Sequence, residues 1–143
     1  MARTHDIEVH GFHCDLYGHV NNARYLEFLE AARWKALDGA LDVDAWHARG
    51  WLFVIAHIDI AYRAAATLGD RLTVHTWQGE FSRRSAKVNQ RVVNENGKIV
   101  ADAKVTYVIL DRDSQRPLPL DGEIRDGLEA LAADAPVIGD QSS

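Results

Sequence analysis

Apolar side chains recur along this chain with two periods, and the change from one to the other divides it. Between residues 21 and 37, Tyr25, Phe28, Leu29, Ala32 and Ala36 fall at the three- and four-residue spacing of one helical face. Asn21 or Asn22 is a good N-cap for that helix, and Asp38-Gly39 a good close, giving a rod of roughly 24 Å. A period of two governs residues 6–12, where Ile7 and Val9 oppose Glu8 and His10. It returns in four further predicted strands, 51–63, 70–80, 82–94 and 98–110, separated by turn residues such as Leu68-Gly69-Asp70 and Asn96-Gly97. A short helix is expected over 42–49, capped by Asp42 and ended by Gly50, and another over 121–133 through Ile124, Leu128 and Leu131. A helix followed by an antiparallel meander is an α+β pattern. Residues 134–143 have no periodicity and are expected to be a flexible tail, which leaves 1–133 as one domain.

Composition narrows the class. A chain of 143 residues with 47% hydrophobic and 26% charged side chains is that of an ordinary globular protein, able to bury roughly 68–70% of its unfolded surface in one core. The net charge of −5 disfavours nucleic acid and anionic membranes as partners, so a phosphate-bearing ligand needs a local basic patch. One exists at Ser82-Arg83-Arg84-Ser85-Ala86-Lys87, although a solvated hairpin corner has the same composition. A single Cys excludes an intrachain disulfide, and the first six residues lack the apolar run of a signal peptide; a cytoplasmic protein without membrane insertion is expected.

Candidate chemistry concentrates where a Gly-containing loop enters the long helix, from His13 to Glu30. Helix starts carry unpaired N–H groups and a dipole that favours developing negative charge, so a carboxylate, Asp15, and oxyanion donors lie close in sequence. By spacing alone Asp15 is equally a loop carboxylate capping a turn at Gly18. His13 and His19 are candidates to orient Asp15 or bond a substrate. If the preceding strand continues to Asp15, His13 and Asp15 face one way and Cys14 the other, which argues against both a metal site and a Cys14 nucleophile. Glu30 and Arg33 are one helical turn apart and expected to pair. His57 and Asp59 share a strand face opposite Ile58 and Ile60, at a subunit contact or in a pocket.

The pattern Asp15-x-x-Gly18-His19-Val20-Asn21-Asn22-x-x-Tyr25-Leu26, followed by Glu30 and Arg33-Trp34, resembles the hotdog-fold acyl-CoA thioesterases of the 4-hydroxybenzoyl-CoA thioesterase-like branch. Within that branch it is similar to the bacterial long-chain acyl-CoA thioesterase III type, from about Val9 to about Arg125. The resemblance implies an antiparallel sheet wrapped around one long helix, and hydrolysis of medium- or long-chain acyl-CoA to free acid and CoA. It implies Asp15 as base or nucleophile, the Asn22 N–H as oxyanion donor, and Gly18 and His19 beside them. It also implies Arg83, Arg84 and Lys87 at the CoA phosphates, no cofactor or metal, and a homodimer or homotetramer with its site between subunits. Tyr25, with Phe28, is expected in the wall of an acyl tunnel or in the core. Two other classes fit the same fold: a dehydratase or hydratase, disfavoured because Asp15 and His19 are four rather than five apart, and a non-catalytic acyl-CoA or acyl-carrier binding module.

Overall fold

The period-two stretches join into a single antiparallel sheet. The computed structural model describes residues 3–38 and 40–133; Gly39 and the expected tail, 134–143, lie outside the described residues. Strands β1 (Arg3–Glu8), β2 (Trp51–Tyr62), β3 (Arg71–Phe81), β4 (Ala86–Asn94) and β5 (Ile99–Asp111) lie in the order β1-β3-β4-β5-β2. The edges are therefore β1 and the twelve-residue β2. Helix α1 (Asn22–Leu37) lies on the sheet, while α2 (Val43–Ala48) and α3 (Gly122–Ala133) close one end.

Helix α1 starts because the Asn21 side chain accepts the Ala23 N–H at 2.9 Å. Its buried face is Tyr25, Phe28, Leu29 and Ala32, packed with Leu72, Val74, Val92 and Val105 of the sheet. Leu29 is fully buried, a contribution of about 1.5–3 kcal/mol by area. A second apolar cluster gathers Trp46, Tyr107, Ile109, Leu120, Ile124 and Leu128. There α3 approaches α2 so closely that a Cβ on Gly127 would stand 2.7 Å from Trp46 Cζ2.

The first strand differs from expectation: it spans Arg3–Glu8 rather than 6–12. Its last ladder partner is Arg71, where β3 begins, so Val9 stays buried but leaves the ladder and bonds to Asp70 O instead. Gly11–His13 then form one 3₁₀ turn, held by the His10 N–H donating to His13 Nδ1 at 2.9 Å. In β2 an extra residue between Ile55 and His57 makes a bulge, so the face toward α1 changes from odd to even numbers: Phe53 and Ile55, then Ile58, Ile60 and Tyr62. His57 and Asp59 are exposed on the other face. The hairpin expected at Asn96-Gly97 forms with Gly97 at φ 81° and the Asn94 carboxamide accepting the Asn96 and Lys98 N–H groups. No helix among the described residues is long and apolar enough to cross a membrane.

Candidate active site

The loop between β1 and α1 folds back on itself. Cys14 and Val20 form an isolated antiparallel bridge; the Asp15 N–H donates to His19 O at 2.8 Å and the Asn21 N–H to His13 O at 2.8 Å. A second bridge, His19 to Thr67, and the Val20 N–H bonded to Ala66 O fix the loop to the segment after β2. Gly18 turns the chain at φ 77°; no atom crowds it, so the left-handed backbone is the reason for glycine there.

Asp15 is exposed, and its Oδ1 accepts the Tyr17 N–H at 2.9 Å and the His19 N–H at 3.4 Å. This is an Asx turn, the capping reading of the residue, yet it leaves the second carboxylate oxygen without a partner among the described residues. Seven residues on, the Asn22 N–H at the first helical position likewise has none, while the Asn22 carbonyl accepts the Tyr62 hydroxyl at 3.2 Å. One anchored carboxylate with a free oxygen and one free helix-start N–H therefore belong to the same loop.

The other loop candidates divide. His13 Nδ1 is an acceptor, its ring packs edge-on against Phe28 at 5.0 Å, and burial first, then His10 and Arg24, lower its pKa, so it is neutral at pH 7. His19 touches Asp15 through its backbone alone, the N–H donating to Asp15 Oδ1 and the carbonyl accepting the Asp15 N–H. Cys14 packs against the core and its thiol reaches His10 O, away from the exposed Asp15 carboxylate. Tyr25 is core, 2% exposed, against Phe28 and Tyr62, and burial raises its pKa.

Two features lie away from this loop. Arg83, Arg84 and Lys87 are exposed at the β3–β4 turn, whereas Asp15 follows the end of β1 that pairs with the start of β3. The eleven residues of β3 separate those ends, roughly 30 Å. Toward the C-terminal end of α1 a cavity of about 170 Å³ opens between helix and sheet, walled by Trp34, Leu37, Phe53, Ile55 and Val88. Arg3, Glu30, Arg33, Thr76, Gln78 and Tyr107 bring polar groups to it, and Gln90 bonds to two of these. Gln90, 1% exposed, donates to Leu29 O (2.9 Å) and Thr76 Oγ1 (3.0 Å) and accepts from Arg33 Nη1 (3.1 Å). Arg33 thus bonds to Gln90 rather than forming the expected ion pair with Glu30, which acts on it only at longer range; burial is the larger influence and lowers the Arg33 pKa. The Tyr107 hydroxyl donates to Gln78 Oε1 at 2.9 Å, and burial pushes its pKa far up. Sequence reading missed Thr76 and Gln90, although a polar residue in phase with Leu72 and Val74, or with Val92, was the available signal.

Comparison with known proteins gives a consistent result. The Thioesterase-like superfamily matches residues 10–128. The long-chain acyl-CoA thioesterase FadM of Escherichia coli is 42% identical over 126 residues, covering 87% of this chain and 96% of that protein. Among solved structures, the probable thioesterase YbaW of Escherichia coli superposes with a TM-score of 0.87 at 40% identity, over 91% of this chain and 98% of its own. A Thermus thermophilus thioesterase complexed with coenzyme A and zinc gives 0.76 at 28% identity, over 91% and 94%. The five-stranded sheet, the helix laid on it and these matches make the chain a hotdog-fold member of the Thioesterase-like superfamily.

Proposed function

We propose that Asp15 and the Asn22 N–H are the working groups of an acyl-CoA thioester hydrolase that releases free acid and CoA from medium- or long-chain substrates. The observation that carries this reading is the pairing of one free Asp15 oxygen with one free N–H at the start of α1, both fixed by a loop bridged to its neighbour. As a base, Asp15 takes a proton from water while the water oxygen adds to the thioester carbonyl. The resulting oxyanion accepts the Asn22 N–H; the C–S bond then breaks and the CoA sulfur takes up a proton. As a nucleophile, Asp15 Oδ2 forms the new C–O bond itself, the C–S bond breaks to release CoA thiolate, which takes up a proton, and water then cleaves the anhydride to free acid and the Asp15 carboxylate. Gly18 permits the turn, and His19 lends its N–H to Asp15.

The working form is a homodimer or homotetramer in the cytoplasm. A twelve-residue edge strand with exposed Val54, Ile55 and Tyr62 supports pairing with a second copy. Because Arg83, Arg84 and Lys87 stand at the far end of β3, they serve the CoA phosphates of a neighbouring copy's site. Release of free thiol from acyl-CoAs of increasing chain length, with an aromatic one included, tests the reading; binding without thiol release would make the chain a carrier instead. Single turnover in ¹⁸O-water followed by mass analysis of the protein separates the two roles, since label can enter Asp15 only by the anhydride route.

A further inference from the structure

Taking Asp15 and Asn22 as the reaction centre, we propose that the cavity at the C-terminal end of α1 receives the tail of the acyl chain and that Arg33 and Glu30 select a tail carrying a hydroxyl group. Position comes first. Asn22, Leu26, Glu30, Arg33 and Leu37 follow one another at four- and three-residue steps, so they form one stripe along α1. Its last three members line the cavity. The edge strand accompanies it: Tyr62 bonds to Asn22 at one end, and Ile55 and Phe53 wall the cavity at the other. From Asn22 to Arg33 is eleven residues, about 16 Å. A zigzag chain with C–C bonds of about 1.5 Å advances about 1.25 Å per bond, so roughly a dozen carbons span that distance.

Chemistry selects the tail. A plain hydrocarbon end needs only the apolar walls, yet this cavity is also lined by two guanidiniums, those of Arg3 and Arg33. Gln90, itself held by two hydrogen bonds, fixes Arg33 with one contact, so one of five donors is used among the described residues. Glu30 lines the same space without an ion pair to Arg33, offering acceptors. A hydroxyl satisfies both, accepting from Arg33 and donating to Glu30.

The test uses the full chain and the product acids, so it does not depend on turnover. Calorimetry should show 12-hydroxydodecanoate binding about tenfold tighter than dodecanoate, with 6-hydroxydodecanoate gaining nothing. Arg33→Leu should reverse the first ranking. Equal or tighter binding of dodecanoate by the wild-type protein, or no binding of either acid, overturns the proposal whether or not the variant folds. Failure of the reaction-centre reading shows separately: Asp15→Asn would then still release thiol, whatever the ranking of the acids.

Discussion

The two ends of α1 solve opposite problems with similar materials. At the N-terminal end the polar groups are exposed and deliberately unsaturated: Asp15 has one oxygen tied and one free, and Asn22 presents a bare N–H. At the C-terminal end Thr76 and Gln90 are buried and hydrogen-bonded, Gln90 using both its donor and its acceptor. Unpaired polar groups are cheap in water and costly in a core, so an open donor can persist only at the exposed end unless a ligand completes it. On the proposed reading, chemistry and recognition are separated by the length of one helix.

Changes at the two ends should therefore register in different measurements. The largest effect is expected from Asp15→Asn, which keeps the Oδ1 acceptor of the Asx turn but removes basicity and nucleophilicity. kcat should fall at least about 100-fold, about 2.7 kcal/mol, with the melting temperature nearly unchanged. A variant within a few-fold of wild type would remove Asp15 from the chemistry. Gln90→Leu should do the reverse at the buried end. It leaves the Leu29 carbonyl without its side-chain donor, so urea unfolding should lose about 1–3 kcal/mol. Unchanged stability there would mean that water replaces the side chain.

Replacing Arg83, Arg84 or Lys87 by Ala should act more weakly, raising KM for CoA esters more than it lowers kcat, by less at high salt. An equal effect on truncated thioesters without phosphates would rule out phosphate contact. The smallest effect concerns pH. Burial lowers the pKa of His13 and of His75 in the folded chain, the nearby Arg91 adding to the effect at His75, so the unfolded chain binds these protons more readily. Stability is then complete above about pH 6.5, the ordinary value, and declines as the pH falls below it. His75→Gln should flatten that decline in urea titrations at pH 7 and 5.

The sheet and long helix were legible because periodicity reports which face is buried, and most boundaries fell within a few residues. Strand β1 was displaced because Arg3, Thr4 and His5 carry no apolar alternation; their place is set by pairing with Val74, His75 and Thr76, which a local pattern cannot reveal. The candidate loop was legible as Asp-x-x-Gly followed by a helix start. Its distance from the basic turn was not, because spacing gives charge clusters but not the end of the sheet they occupy. Thr76 and Gln90 went unnoticed since polar residues in apolar strands are usually read as facing water.

Strand β2 has a consequence for handling the protein. A lone chain exposes twelve residues of edge backbone with Val54, Ile55 and Tyr62 beside it, and the proposed pairing with a second copy would remove that surface from water. On that proposal folding and mass action are coupled, and the melting temperature is expected to be a function of protein concentration rather than a constant of the sequence. Dilution should lower it, and a single reported value would have meaning only with its micromolarity attached.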